Sequence, residues 1–220
     1  MVRQNHTTMG GAGGSDVGSE RPDSWAATEQ DVAERRARAR RLEGARLAAV
    51  RYVTIDYRRE ELHPSLHGAG PRLIEDHDEW KQPTWKFDGF DSMDYGFDLS
   101  TDDGRVFSVT WDPPGWHEGI SLREEPLLGV SVRSEADVAI WDVSRDSGWA
   151  PLVGARITRV ELRYRPWSDA EGGFWCPQIS IAVEDVAIEV IMADADQGRL
   201  APSADNVAVL FSPTVLPAWH

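Results

Sequence analysis

The segment 178–190 constrains the fold most, because its Ile and Val residues occupy every second position, as in a β-strand with one buried face. The alternation is interrupted at Glu184-Asp185, where we predict that the chain reverses. That reversal places the Ile and Val side chains on one face of an antiparallel hairpin. The predicted cross-strand pairs are Val183 with Val186, Ile181 with Ile188, and Ile179 with Val190.

Other segments have the same strand character, and together they indicate the fold class. Residues 160–165 alternate between apolar and charged, and residues 47–57 are rich in Val, Ile, Thr and Tyr. Strand segments follow one another at short spacing, without regularly intervening helices. We therefore predict an α+β, mainly β fold, an antiparallel meander of roughly seven to nine strands with an N-terminal helix. Because Asp98 alternates with apolar neighbours, its carboxylate is predicted to point into water.

The N-terminal part of the chain has a different composition. Residues 1–22 are rich in Gly, Ser, Asn and Thr and predict a disordered tail. Residues 23–44 contain a run of Ala, Glu and Arg that ends at Gly44, which predicts a helix lying loosely on the domain. Residues 45–220 then form a single β-rich domain. The arginines of residues 35–41 could contact nucleic acid, but the acidic residues elsewhere in the same helical segment favour a solvated helix face.

Charge and cysteine content limit the partners and the compartment. The net charge is −14, and residues 51–220 contain 15 Lys or Arg against 30 Asp or Glu. A surface of this sign repels phosphate and is compatible with a basic protein partner, so nucleic acid is not the expected ligand. Cys176 is the only cysteine, so no intrachain disulfide forms. With no signal peptide or apolar run of membrane-spanning length, we expect a cytoplasmic protein without a membrane partner.

Two aromatic segments are the candidate recognition elements in a chain with ten tryptophans. Residues 111–118 combine two prolines and a glycine with two indoles, an Asp, a His and a Glu, and rigid aromatic side chains are common at interface hot spots. Two tryptophans also frame the loop between residues 165 and 178. The alternative is that these indoles pack at the ends of the sheet. The predicted partner-binding residues are Trp111, Asp112, Trp116, His117, Glu118, Trp167 and Trp175.

No enzymatic motif accompanies these residues. The sequence has no G-x-S-x-G, no phosphate-binding loop, no dinucleotide-binding glycines and no H-E-x-x-H. We therefore predict a non-enzymatic binding protein without a cofactor, whose acidic, Trp-bearing surface meets a cationic protein, as in immunity or inhibitor proteins. The alternative is a metal-dependent hydrolase that holds a divalent ion with Asp, Glu and His from residues 75–79 and 112–118. A nucleophilic role for Cys176 is less favoured than inert packing.

Overall fold

The computed structural model describes residues 24–57, 70–111, 119–168 and 172–211, and within these ranges the chain is mainly β. The helix α1 spans Glu29–Ala39 and is followed by a 3-10 helix at Arg40–Leu42. The strands are β1 (Trp25–Ala26), β2 (Leu47–Ile55), β3 (Arg72–Leu73), β4 (Asp91–Met93), β5 (Gly96–Thr101), β6 (Val106–Trp111), β7 (Ile120–Arg123), β8 (Val138–Asp142), β9 (Ile157–Leu162), β10 (Arg165–Pro166), β11 (Phe174–Trp175), β12 (Gln178–Val183), β13 (Val186–Asp196) and β14 (Arg199–Leu210). Two further 3-10 helices lie at Glu79–Lys81 and Val143–Arg145.

The predicted hairpin is confirmed as β12 and β13 of a five-stranded antiparallel sheet with the order β4-β14-β13-β12-β9. Val183 pairs with Val186, Ile181 with Ile188, and Ile179 with Val190, which is the predicted register. Glu184 enters the turn with a φ of 49°, in the left-handed region that non-glycine residues seldom adopt. The alternation of buried side chains thus sets the register even though the turn residues are unfavourable.

The remaining strands show that the prediction of one meander with seven to nine strands was too simple. A six-stranded sheet has the order β3-β8-β2-β5-β6-β7, and a small sheet has the order β1-β11-β10. The pairs are antiparallel except β3 with β8, which is parallel. Tyr52 on β2 pairs with Trp141 on β8, far along the chain. Alternation within a segment shows which face is buried but not which distant strand lies beside it, so the sequence did not separate the sheets.

The two large sheets pack face to face across one main core. Its buried side chains come from both sheets, with Tyr52, Phe97 and Val109 on the six-stranded sheet and Ile181 and Val190 on the five-stranded sheet. Smaller apolar clusters cover part of the outer face of each sheet. The architecture is therefore a β-sandwich with additional coverage by loops.

Helix α1 lies against the open side of this sandwich, in contact with the edge strands β7 and β9. Thr28 begins it with a capping box, in which Asp31 N donates to Thr28 Oγ1 and Thr28 N donates to Asp31 Oδ2. Val32 and Ala39 are buried, so the expectation of a loosely attached helix was wrong. The reason is that an edge strand must be covered, and small apolar side chains suffice for close packing. No helix in the described ranges has the length and apolar character needed to cross a bilayer.

Asp98 also differs from its predicted environment. Its carboxylate lies on the outer face of the six-stranded sheet, but Leu127 N donates to Asp98 Oδ1 at 3.0 Å. The segment around Leu127 folds back over this face and packs on Val53. Burial raises the pKa of Asp98 to about 6, against the opposing effects of the Leu127 N–H and the Arg51 charge. The alternation correctly predicted which face of the sheet carries Asp98. A segment distant in sequence covers this face and separates the carboxylate from bulk water.

Candidate partner-binding surface

Trp111 lies at the end of β6 and is half-buried against the main core. Its indole N–H donates to the carbonyl oxygen of Asp94, and its backbone pairs with Ile120 at the start of β7. Trp111 therefore contacts the main core and is also partly exposed at the protein surface.

Trp175 lies on β11 of the small sheet and Trp167 directly follows β10, and both are half-buried. Their ring centroids are 5.8 Å apart with an interplanar angle of 79°, an edge-to-face arrangement. Ile120 N donates to Cys176 O at 2.7 Å, which joins the base of the β6–β7 hairpin to the residue after Trp175. The structure thus places Trp111 and Trp175 on neighbouring elements.

The other predicted recognition residues cannot be placed beside these tryptophans. Asp112, Trp116, His117 and Glu118 lie outside the described residues, so their role stays a prediction. Eight of the ten tryptophans fall within the described ranges, and each is buried or half-buried. Several of them form edge-to-face pairs inside the sandwich, including Trp80 with Trp141 and Trp85 with Tyr52. Much of the indole surface in this part of the chain is therefore used for packing.

Exposed apolar side chains instead occur around Tyr57, which no sequence pattern indicated as a recognition residue. The exposed fraction is 56 % for Tyr57, 38 % for Ile55 and 50 % for Leu73, whereas most large apolar side chains of the described sheets are buried. Ile55 lies at the end of β2 and Leu73 on the edge strand β3, with β8 between them. We call Ile55, Tyr57, Leu73 and Asp94 the Tyr57 surface.

The Asp94 carboxylate organises this surface. Tyr57 Oη donates to Asp94 Oδ1 at 2.7 Å, and Ile55 N donates to Asp94 Oδ2 at 3.1 Å. Because Trp111 donates to the carbonyl of the same residue, Asp94 connects the predicted recognition residue Trp111 to Tyr57. Two hydrogen bonds to one carboxylate hold the end of β2 and the exposed phenol in a defined orientation.

The electrostatic environment of Tyr57 is negative. Partial burial of the phenol raises the pKa of Tyr57 well above its usual value, and the hydrogen bond to Asp94 and the charges of Asp94, Asp194 and Asp205 act in the same direction. The phenol therefore remains a neutral hydrogen-bond donor. The same carboxylates attract cations to this region of the surface.

A buried polar network lies in the interior, between the two large sheets. Trp149 Nε1 donates to Tyr52 Oη at 2.6 Å, and Tyr52 Oη donates to Asp91 Oδ2 at 2.8 Å. Burial raises the pKa of Asp91 to about 6, although the Tyr52 hydrogen bond and the Lys86 charge lower it. Burial likewise raises the pKa of Tyr52 well above its usual value. These groups are enclosed by the core, so we assign them a structural role.

The acidic segment 75–79 does not form a metal site by itself. Glu79 is buried, and its carboxylate receives two hydrogen bonds from Arg72, at 2.9 Å each. Arg72 also binds both oxygens of Asp56, at 2.8 and 2.9 Å. Asp78 pairs with Lys81. Within the described ranges, no group of three or more His, Cys, Asp or Glu side chains could hold a metal ion.

Cys176 is fully buried, and burial raises the pKa of its thiol to about 12. The thiol is therefore protonated at neutral pH, and a thiolate nucleophile is unfavourable in this environment. The Sγ atom lies 3.3 Å from the carbonyl oxygen of Gln178. This geometry agrees with the interpretation of Cys176 as a packing residue.

Comparison with known proteins adds no relative, because no protein-family model, curated protein or solved structure matches this chain. The class defined by the observed features is a β-sandwich with a helix on one open side and an acidic surface that exposes an ordered tyrosine.

Proposed function

We propose that the protein is a non-enzymatic binding protein that receives a cationic protein partner at the Tyr57 surface. The observation that carries the proposal is the arrangement at Asp94, where one carboxylate orients an exposed tyrosine beside exposed aliphatic side chains. A Lys or Arg side chain carries both an apolar stem and a charged end. Such a side chain can pack its stem on Ile55 or Tyr57 while its cation lies near Asp94.

The order of this surface supports binding. Association is weakened by the entropy lost when side chains become fixed, and Tyr57 is already held by its hydrogen bond. The aromatic ring also provides a large contact area with few rotatable bonds. These properties are those of interface anchor residues, which are enriched in Tyr, Trp and Arg.

The charge of the molecule supports a cationic partner. Asp94, Asp194 and Asp205 all act on Tyr57, and the whole chain has a net charge of −14. Such a field increases the association rate of a basic protein and makes binding dependent on salt. We retain Trp111, which was predicted from the sequence, as a residue that neighbours the Tyr57 surface, because Trp111 and Tyr57 both donate hydrogen bonds to Asp94.

The proposal is tested with the purified chain on an array of immobilised Lys- and Arg-rich peptides that also carry aliphatic or aromatic residues. The double variant Ile55→Ser/Tyr57→Ala should bind at least tenfold more weakly than the original protein. Retention should also fall steeply between low and high salt. Circular dichroism checks that the variant keeps its sheet content.

A matched control is available on the β12–β13 hairpin. Val186 is 40 % exposed and adjoins the acidic residue Asp185, so Val186→Ser removes a similar exposed side chain elsewhere on the domain. This variant should bind the same peptides with unchanged affinity. Failure of every basic peptide to bind, or retention that does not respond to salt, would contradict the proposal.

A further inference from the structure

The arginines near helix α1 are divided between two cavities on opposite sides of the helical segment. One cavity lies toward β9 and is lined in part by Arg36 and Arg40. The other lies toward β7 and is lined in part by Arg38 and Arg41. The sequence favoured a solvated Arg-rich face over nucleic-acid contact, whereas the fold sets this face between the edge strands of the two large sheets.

The cavity on the β9 side has a volume of about 440 Å³ and contains four arginines. Its two acidic side chains are already engaged. Glu43 Oε1 accepts a hydrogen bond from Val160 N at 2.9 Å, and Glu161 pairs with Arg159 on the same strand and with Arg163 directly after it. The lining therefore has a formal charge of +2 in a strongly acidic chain. Its residues are Arg36, Arg40, Glu43, Arg159, Val160, Glu161, Leu162, Arg163 and Tyr164.

Two of these arginines have no carboxylate partner among the described residues. Arg36 donates through Nε to Leu162 O at 3.1 Å and lies 5.9 Å from the centroid of the Tyr164 ring. Arg40 is exposed, and its side chain forms no ion pair within the described ranges. The Arg36 bond fixes the guanidinium at the rim of the cavity. Guanidinium groups in such positions bind phosphate oxygens through paired hydrogen bonds.

The cavity on the β7 side extends this positive region. It has a volume of about 150 Å³, and Arg123 of β7 joins Arg38 and Arg41 in its lining. Glu124 and Glu125 also line it, so its formal charge is +1. Arg41 pairs with Glu124 at 2.9 Å. A helix with its side chains is about 10–12 Å across, so the two cavities are separated by roughly that width. A ligand with several linked phosphates can reach both, whereas a single phosphate can occupy only one.

We propose that this face binds single-stranded nucleic acid, with phosphates in the two arginine-lined cavities and the strand crossing the helical segment between them. A single strand can bend around the helix and follow the charged lining from one cavity to the other. The acidic charge elsewhere on the domain restricts a polyanion to this face. This site is independent of the Tyr57 surface.

Fluorescence anisotropy with a labelled 12-nucleotide oligothymidylate tests the proposal. Contact with about four phosphates predicts a logarithmic salt slope near −2.8, or roughly 50-fold weaker binding at 200 mM than at 50 mM salt. Arg36→Ser/Arg40→Ser should weaken binding at least tenfold at 50 mM salt and reduce the slope by about 1.4. Arg40→Ser alone should reduce the slope by about 0.7 without removing the Arg36–Leu162 bond.

The control variant Arg133→Ser/Arg145→Ser removes two charges outside these cavities and should bind the oligonucleotide like the original protein. Absence of binding at 50 mM salt would overturn the proposal, and so would an equal loss in the control. Thymidine triphosphate binding as tightly as the oligonucleotide would also overturn it, because no strand would then be needed. Ile55→Ser/Tyr57→Ala should leave oligonucleotide binding unchanged, which separates this result from the peptide experiment.

Discussion

Asp91→Asn is expected to stabilise the protein at neutral pH, because the Asp91 carboxylate is buried where ionisation is unfavourable. The residue is 4 % exposed, and Tyr52 Oη donates to Asp91 Oδ2 at 2.8 Å. Burial raises the pKa of Asp91 from 3.8 to about 6, and the neighbouring Asp146 charge adds to this effect. An asparagine side chain keeps an oxygen that can accept the Tyr52 hydrogen bond without carrying a charge.

The sign follows from proton binding in the two states. Between pH 4 and pH 6 the folded protein holds a proton at Asp91 that the unfolded chain has released, so stability falls as the pH rises. Well above pH 6, Asp91 is ionised in both the folded and the unfolded state, so the loss of stability is constant. Well below pH 3.8, Asp91 is protonated in both states, so the loss of stability vanishes. The difference between the unfolded pKa of 3.8 and the folded pKa of about 6 corresponds to about 3 kcal/mol in the free energy of unfolding, at about 1.4 kcal/mol per pKa unit.

Urea unfolding followed by tryptophan fluorescence measures this effect at several values between pH 3 and pH 8. The free energy of unfolding of the variant, minus that of the original protein, should increase by about 3 kcal/mol across this range. In thermal unfolding, this corresponds to about 6–12 °C in Tm for a domain of this size. The control Asp185→Asn changes an exposed turn residue and should show no such increase.

A difference that does not vary with pH would refute the reasoning, because the change would then reflect packing alone. A variant that becomes less stable toward pH 8 would show that the ionised carboxylate stabilises the fold through Tyr52 and Lys86. Asp98→Asn provides an independent test, since burial also raises the pKa of Asp98 to about 6. Its stability difference should have the same sign and a similar dependence on pH.

Three further predictions concern local structure. Arg72→Met should destabilise the protein by about 3–5 kcal/mol in urea unfolding, because it leaves Asp56 and Glu79 buried without their cation. Adding Glu79→Gln to this variant should recover part of the lost stability. An Arg72→Met variant as stable as the original protein would contradict this prediction. Gln197→Asn should raise the free energy of unfolding by about 0.5–1 kcal/mol, because Gln197 has a φ of 50° beside Gly198 in a two-residue turn, and asparagine adopts this left-handed conformation more readily. A lower Tm for the variant would be inconsistent with this turn geometry. Thr28→Ala should lower stability by about 1 kcal/mol through loss of the capping box, whereas Thr28→Ser should be nearly neutral in the same assay.

The candidate surface could be predicted only in part. Trp111 was selected from the sequence and lies next to Asp94, but Tyr57 was not selected. The sequence places Tyr57 at the end of an ordinary strand segment, and no local pattern shows that its ring remains exposed. A search for aromatic residues that continue a strand on its outer face could have identified it. The arginine cavities were missed for a related reason, because β7 and β9 are distant from the helix in sequence.

The sequence by itself determined the β12–β13 hairpin, its register and the presence of the N-terminal helix. These features depend on residues a few positions apart, where alternation, capping and helix propensity act directly. Tertiary structure alone decided the division into several sheets, the cover over Asp98 and the contact between Tyr52 and Asp91. Each of these joins residues widely separated in the chain, and the packing of whole sheets, not local preference, brings them together.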